Sequence, residues 1–241
     1  MQRIIELAGV HNYRDLGGLE TDTGTTVFGR VIRGESPHHL TPLAFEQLRD
    51  MGLQAVIDLR GHSELEQHPN PFATHDQVTY HHIPLFAALQ KLAGQTPQTS
   101  PPSLEKMYIA TLEFCQEALR QALLVVANSS GLVLLHCTAG KDRTGLVAML
   151  LAGVSGASRE AIVADYAQTA DASVMLEQLR LDSIQNGQEI PAHLLEAKPE
   201  TMLAVLDYLE QKHGGIVGYV QNSLKLELNI FYSYSTLREL A

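Results

Sequence analysis

The chain is 241 residues long, is 45% hydrophobic and carries a formal net charge of −10 at pH 7. This length can bury a substantial core in one domain or two. The acidic balance argues against a general nucleic-acid or anionic-membrane surface, because both partners require basic faces.

Three further absences narrow the class of protein. Two cysteines cannot form a disulfide scaffold, and no apolar run approaches the roughly 20 residues of a membrane span. Residues 1–7 show no signal-peptide pattern. We therefore expect a cytoplasmic protein without stable membrane insertion, although export by another route would leave no mark in the sequence.

Short strands joined by turns are predicted for residues 4–35, where Gly17-Gly18 interrupts the pattern. Arg14 and Asp15 in this segment could contact a ligand. The favoured interpretation is a local ion pair that holds the segment on the edge of a sheet.

A helix is predicted to follow, with Thr41 as its N-cap, Pro42 at its first position and Gly52 just beyond its end. Its inward face is expected to include Phe45 and Met51.

A buried strand, residues 55–57, then ends in Asp58. Ligands of open α/β sheets bind beyond the carboxyl ends of the strands, so Asp58 is a candidate substrate-binding residue. The favoured alternative is that Asp58 and Arg60 brace nearby loops, because structural ion networks are common. Glu64 is predicted to lie in a solvated turn or short helix.

Another strand is predicted at residues 78–85, and a long loop at residues 87–102. One amphipathic helix is predicted from Leu104 to about Gly131, with Cys115 on its apolar stripe as a buried structural thiol. The chain shows no Cys/His spacing typical of zinc, so we expect neither a metal nor another cofactor.

Residues 133–151 are predicted to form a buried strand, a tight polar loop and a buried helix. Such a junction directs backbone N–H groups and the positive end of the helix dipole into the loop, which favours an anion such as phosphate. Gly140 permits the backbone geometry of an anion-binding nest. The loop is therefore predicted to bind phosphoryl oxygens, through the backbone of Thr138, Ala139, Gly140 and Lys141.

Cys137 and Arg143 stand at the two ends of this loop. A thiol beside a helix N-terminus and a guanidinium is favoured as the thiolate, which is the nucleophilic form. An arginine can grip two phosphate oxygens at once. Thr144 could hydrogen-bond the sulfur and help it leave. Together these residues predict attack of sulfur on phosphorus, giving a phosphocysteine that water then hydrolyses.

The string HCTAGKDRTG at residues 136–145 resembles the signature loop of the cysteine-dependent protein tyrosine phosphatase superfamily. With NYRDLGG at residues 12–18, it is similar to the bacterial tyrosine/serine and phosphoinositide phosphatases, of dual or triple specificity, within that superfamily. The resemblance runs from about His11 to the C-terminus. It implies one α/β phosphatase domain, residues 1–241, with a central mostly parallel sheet flanked by helices and extra C-terminal helices.

The same resemblance implies a phosphorylated protein or a phosphoinositide as the substrate, and it raises the question of the general acid. Tyrosine phosphatases carry an aspartate on a loop after an earlier strand, but no aspartate occurs between Asp76 and Asp142. Asp142 is the predicted general acid, since the resembling family also has an aspartate at this position. The alternative role for Asp142 is to brace the loop by hydrogen bonds. Asp58 is the second candidate for the general acid.

Two positions beside the nucleophile have roles that the resemblance only suggests. In the resembling group, a lysine at the position of Lys141 accompanies activity on phosphorylated lipid headgroups. A lysine that is merely exposed to solvent is an equally good interpretation. His136 is expected to order the loop by hydrogen bonding rather than to act as a base.

The chain after the loop is predicted to be helical, and residues 168–198 resemble the position of a helical lid in relatives. Plain helical packing is the alternative for this segment. Two other functions stay open: a rhodanese-like sulfurtransferase and a non-catalytic phosphate-binding module. The sequence indicates neither the oligomeric state nor the choice between phosphotyrosine, phosphoserine and phosphoinositide.

Overall fold

The computed structural model describes residues 2–86, 103–185, 187 and 190–234, so the predicted loop at residues 87–102 lies outside the described residues. The described strands are β1 Arg14–Asp15, β2 Glu20–Thr21, β3 Gly24–Thr25, β4 Val31–Gly34, β5 Leu53–Asp58, β6 Thr79–His82 and β7 Leu132–His136. The α-helices are α1 Pro42–Asp50, α2 His62–Gln67, α3 Leu104–Phe114, α4 Gln116–Asn128, α5 Asp142–Val154, α6 Arg159–Ala167, α7 Ser173–Gln185, α8 Ala192–Leu195, α9 Pro199–His213 and α10 Gly215–Asn222. Short 3₁₀ helices span Pro37–His39, Gln168–Asp171 and Leu228–Tyr234.

Five strands form one sheet in the order β1-β4-β7-β5-β6, while β2 and β3 form a separate hairpin. The last four strands of that order are parallel, and only β1 runs antiparallel to its neighbour. Helices and their apolar side chains cover both faces of the sheet. The predicted α/β fold, with a mostly parallel sheet and additional C-terminal helices, is confirmed.

The centre of the sheet is β7, whose five residues are all buried, and α5 follows it across a short loop. Residues 144–152 of α5 are buried on every side, as their continuous apolar sequence predicts. In register, His136 of β7 lies beside Gly34 of β4 and Asp58 of β5. The carboxyl ends of three parallel strands therefore meet where the polar loop begins.

The N-terminal cap of α1 is as predicted, because Thr41 accepts a hydrogen bond from the backbone N–H of Ala44 at 3.3 Å. The inward orientation predicted for Met51 is wrong: 45% of this residue is exposed, since it follows the last turn of α1.

The single helix predicted from Leu104 to about Gly131 is also wrong, because the chain breaks at Cys115 into α3 and α4. The apolar stripe continues across the break, from Leu112 to Leu119, so its periodicity carries no sign of the change. The prediction that Cys115 is a buried thiol is confirmed.

Arg14 and Asp15 do not pair with each other. They are consecutive residues of β1, and successive side chains of a strand point to opposite faces. The Asp15 carboxylate instead accepts hydrogen bonds from the backbone N–H groups of Gly17 and Gly29, at 2.7 and 2.8 Å. No helix within the described part of the chain combines the length and the apolar character that crossing a membrane requires.

Candidate active site

The loop between β7 and α5 forms one wall of a cavity of about 280 Å³ at the carboxyl edge of the sheet. Cys137 is the first residue after β7 and is only 2% exposed. Of the predicted site residues, the structure brings together in this wall Cys137, Thr138, Ala139, Lys141, Asp142 and Arg143. These six residues therefore lie together around one cavity, as their positions in the loop predict.

Carbonyl groups of the loop are held from outside. The backbone N–H of Ser36 donates to Thr138 O at 2.9 Å, and Asn12 Nδ2 donates to Ala139 O at 2.7 Å. Arg33 Nη2 donates to Gly140 O at 2.8 Å. The C=O and N–H of a planar trans peptide point in opposite directions, so N–H groups of these peptides face the interior of the loop.

Gly140 allows the loop to pass close to β4. Its φ is +69°, and a Cβ there would lie 2.4 Å from the backbone carbonyl of Gly34. Both observations require glycine at this position. Gly140 therefore shapes the loop, as the sequence predicted, although it is not itself one of the residues that line the cavity.

A buried carboxylate, Asp165, organises the arginines beneath the loop. It pairs with Arg3, with Arg14 Nε at 3.1 Å and with Arg33 Nη1 at 2.5 Å. Burial alone would raise the pKa of Asp165, but the charges of Arg14 and Arg33 hold this pKa well below its usual range. The N-terminal NYRDLGG motif thus supports the loop from below, through Asn12 and Arg14.

The Asp58 carboxylate is fully buried, outside the cavity wall. It accepts hydrogen bonds from Arg60 Nη2 at 2.7 Å, Asn70 Nδ2 at 2.8 Å and the Tyr80 hydroxyl at 3.1 Å. Asp58 is therefore not among the residues that line the cavity of Cys137, and these donors already occupy its oxygens. These hydrogen bonds are the ones expected of a residue that braces nearby loops.

His136 connects this buried network to the backbone of Cys137. Its Nε2 lies 2.9 Å from Asn70 Nδ2, and its Nδ1 lies 3.0 Å from the backbone oxygen of Cys137. Burial lowers the pKa of His136, although the charge of Asp58 opposes that shift. The expectation that His136 orders the loop by hydrogen bonding is confirmed.

Glu64 holds the arginine of the loop, a role that the sequence did not reveal. Arg143 Nη1 and Nη2 donate to its two carboxylate oxygens at 2.6 and 2.8 Å, and the Thr138 hydroxyl also donates to Glu64. Burial alone would raise the pKa of Glu64, but the hydrogen bond and charge of Arg143 lower it to about 2. The solvated short helix predicted around Glu64 is confirmed as α2, which contains no buried residue, but nothing in the sequence indicated the ion pair with Arg143.

Replacing Glu64 with glutamine is expected to lower kcat/KM about tenfold, mainly through KM, because Arg143 loses the fixed bidentate orientation that Glu64 gives it. Steady-state kinetics on p-nitrophenyl phosphate measures this loss. Glu66→Gln, an exposed residue of the same helix, is the matched control.

The same variant should also alter the pH dependence of stability. A carboxylate with a lowered folded-state pKa contributes stability above its unfolded pKa of about 4.3, and that stability disappears as the pH falls toward the folded value. Glu64→Gln should therefore lower the Tm at pH 6, with a smaller difference from the wild type at pH 3. An equal difference at both pH values contradicts the ion pair.

Asp142, the predicted general acid, is held by Tyr108, which in turn contacts Tyr166. Its Oδ1 accepts a hydrogen bond from the Tyr108 hydroxyl at 2.5 Å, and the Tyr108 and Tyr166 hydroxyl oxygens lie 2.9 Å apart. Burial and then the charge of Asp142 raise the pKa of Tyr108 well above its usual value, so this phenol remains a donor. The sequence placed Tyr108 on an apolar stripe and gave no sign of its polar role.

Lys141 is 1% exposed, so the interpretation as a solvated lysine is wrong. Its ammonium donates to the backbone oxygens of Leu194 and Glu196 and lies 3.3 Å from Asp142 Oδ1. It thereby ties the loop to the segment that includes α8. That segment and α7 contribute apolar side chains to the cavity wall, namely Leu176, Leu179, Ile190, Leu194 and Leu195.

Thr144 does not line the cavity, and its buried hydroxyl oxygen has no hydrogen-bond partner among the described residues.

Arg143 remains fully charged. Burial alone would lower the pKa of its guanidinium, but the hydrogen bond of Glu64 and the charge of Cys137 raise this pKa. The cavity therefore presents a thiol, a fixed guanidinium and inward-facing backbone N–H groups, which together suit a tetrahedral oxyanion.

Comparison with known proteins gives a consistent result. The model of the tyrosine phosphatase family matches residues 5–230. The triple specificity protein phosphatase PtpB of Mycobacterium tuberculosis is 25% identical over 262 aligned positions, which cover 90% of this chain and 93% of PtpB. A tyrosine-protein phosphatase of Nostoc commune is 36% identical over 141 residues, 58% of this chain and 48% of that protein. Among solved structures, the core catalytic domain of the PP-IP phosphatase SIW14 from S. cerevisiae matches with a TM-score of 0.39 and 14% identity, covering 76% of this chain and 97% of that domain.

Proposed function

The chain belongs to the tyrosine phosphatase family and is a cysteine-dependent phosphatase, and from that premise we propose that Cys137 hydrolyses phosphotyrosine in protein substrates. The observation that carries this proposal is the shared cavity of Cys137 and Arg143, walled by a loop whose carbonyl groups are bonded from outside. Phosphoserine and phosphothreonine proteins and phosphoinositides are the other substrates of the same chemistry.

In the first step, the sulfur of Cys137 attacks phosphorus in line with the ester oxygen, which leaves as the P–O bond breaks and the S–P bond forms. The backbone N–H groups of residues 139–141 and the guanidinium of Arg143 bind the three non-bridging oxygens. Glu64 occupies the terminal nitrogens of Arg143 and so fixes the plane of the fork.

Asp142 donates a proton to the leaving oxygen in this step. It then removes a proton from the water that attacks the phosphocysteine, so that phosphate and the thiolate are released and the acid is restored. The Tyr108 hydroxyl orients the carboxyl group for both transfers. The unpartnered hydroxyl of Thr144 supports a further role, since it can donate to the sulfur as it leaves phosphorus.

The walls of the cavity favour an aromatic ester over an alkyl one. Phe86, Leu104 and Met107 line it beside the loop, and the Arg143 guanidinium carbon lies 5.3 Å from the centre of the Phe86 ring. A phenyl ring buries a large apolar surface in such a site. Phosphoserine has no ring to place there.

Residues 168–198 act as a cover over this cavity, within one phosphatase domain that spans residues 1–241. Leucines of α7 and α8 exclude water from the phosphoryl group, which strengthens the electrostatic contacts inside. A protein substrate requires the part of this cover around α8 to move, and that movement breaks the bonds from Lys141 to Leu194 and Glu196.

A substrate panel tests the proposal. We expect kcat/KM for a phosphotyrosine peptide to exceed that for the matching phosphoserine peptide, and for phosphatidylinositol phosphates in vesicles, by about tenfold or more. Faster hydrolysis of the phosphoinositide assigns the enzyme to lipids instead. Sulfur transfer from thiosulfate to cyanide, without phosphatase activity, identifies a sulfurtransferase, and phosphopeptide binding without turnover identifies a phosphate-binding module.

A further inference from the structure

A second cavity of about 740 Å³ lies beside the phosphate-binding loop. It shares Thr138 and Leu179 with the cavity that holds Cys137, so the two have a wall in common. Four imidazoles line it, and we call it the histidine cavity after them: His11, His38, His39 and His68. Its position suits a group of the substrate that lies next to the phosphorylated residue.

The charged groups of the histidine cavity are acidic. Glu35 and Asp182 line it, and no lysine or arginine does so within the described part of the chain. Burial raises the pKa of Glu35, while the backbone N–H groups of His11 and Asn12 oppose that shift. Asp182 is held by a hydrogen bond from Gln178 Nε2 at 2.7 Å. The site therefore has no fixed cation to receive a second phosphate.

The imidazole at the centre of the cluster is neutral at physiological pH. The ring centre of His38 lies 3.9 Å from that of His39 and 4.5 Å from that of His68. Burial lowers the pKa of His38 to about 4, with smaller contributions from the positive charges around it. The titratable and charged groups near His38 are His11, Glu35, His39, Arg60, His68, His136 and Asp182.

The neutral imidazole of His38 and the carboxylates of this cavity share one property, because both kinds of group can accept a hydrogen bond from a cation. On the opposite wall, Val174, Met175 and Leu179 of α7 offer apolar surface. A lysine or arginine side chain matches both walls, since its methylene stem packs on apolar groups while its charged end meets acceptors. The histidines do not form a metal site: no group of metal-binding side chains occurs among the described residues.

We infer that the histidine cavity binds a basic side chain, lysine or arginine, adjacent to the phosphorylated residue of a protein substrate. This inference rests on the proposed phosphatase function and specifies its substrate. The inferred site also favours a peptide substrate over a polyphosphorylated lipid. In the histidine cavity, the second anionic group of such a lipid would face two carboxylates without a compensating cation.

The test uses three phosphotyrosine peptides that differ only in the residues flanking phosphotyrosine, which are arginine, alanine or glutamate. At pH 7.5 and low salt, we expect kcat/KM to be about fivefold higher for the arginine peptide than for the alanine peptide, and lowest for the glutamate peptide. The difference should appear in KM rather than kcat.

Two variants of α7 show whether the cavity is responsible. Asp182→Asn should bring the ratio of kcat/KM for the arginine and alanine peptides close to one. Glu177→Gln removes the same charge from the same helix, but Glu177 pairs with Arg180 and does not line the histidine cavity, so this variant should keep the wild-type ratio. A ratio measured within each enzyme does not depend on how much of it is folded.

The outcomes distinguish this inference from the phosphatase itself. Equal kcat/KM for the three peptides, or a preference for the glutamate peptide, overturns the inference and leaves the phosphatase intact. An unchanged ratio in Asp182→Asn also overturns it. Failure of the wild-type enzyme to hydrolyse any of the peptides, or p-nitrophenyl phosphate, overturns the proposed function and this inference together.

Discussion

Cys137→Ser is expected to abolish hydrolysis of p-nitrophenyl phosphate and of phosphotyrosine peptides, with a loss on the order of 10⁴-fold or more in kcat. A serine hydroxyl stays protonated at neutral pH, whereas a thiol between backbone N–H groups and a guanidinium can react as the anion. The loop itself should survive, because its outward carbonyls remain bonded to Asn12 and Arg33. Single-turnover and steady-state assays on purified protein measure the loss.

The second cysteine provides the control. Cys115 is buried at the break between α3 and α4, outside the active-site cavity, so Cys115→Ala should keep wild-type kcat. The Cys137→Ser protein should still bind a phosphotyrosine peptide, since Arg143 and the loop are unchanged. Residual activity near the wild-type level in Cys137→Ser would falsify the assignment of the nucleophile.

Asp142→Ala is expected to slow hydrolysis of phosphotyrosine by 10²–10⁴-fold, roughly the contribution of a general acid. Tyrosine leaves as a poor anion, because its phenol has a pKa of about 10. A highly activated aryl ester needs no proton to leave, so the variant should hydrolyse it at nearly the wild-type rate of P–O cleavage. A burst assay with esters of graded leaving-group pKa measures both effects.

Tyr108→Phe extends this test, because it removes only the hydroxyl that donates to Asp142. It should show the same dependence on the leaving group with a smaller loss, about tenfold on phosphotyrosine. Asp171→Ala, an exposed residue of the 3₁₀ helix that follows α6, should have no such dependence. If Asp142→Ala slows all esters by one factor, then Asp142 braces the loop and another group supplies the proton.

The sequence predicted the catalytic loop well because that loop is local. Strand, loop and helix follow one another within residues 133–151, so their apolar runs and the spacing of Cys137 and Arg143 can be seen directly. The order of the parallel strands then places this loop at the carboxyl edge. The same reasoning correctly placed Asp58 at the end of a buried strand, and the structure pairs that strand with β7.

The supports of the loop were missed because they are distant in sequence. Glu64 and Arg143 are 79 positions apart, and Arg33 and Asp165 are 132 apart. Nothing in the local pattern around Glu64 distinguishes a carboxylate that meets an arginine from one that meets water. The burial of Lys141 was missed for the same reason, because it depends on the carbonyl groups of Leu194 and Glu196, which are more than 50 positions away.

The group of arginines under the loop has an electrostatic consequence for an acidic protein. Arg3, Arg14 and Arg33 contribute three positive charges against the single negative charge of Asp165, so a surplus of two remains below the phosphate position. Interior charges are shielded by dissolved ions far less than surface charges are. A bound dianion is thus held at one point of a molecule whose overall charge repels it, and raising the ionic strength should weaken that contact only slightly once the dianion is buried.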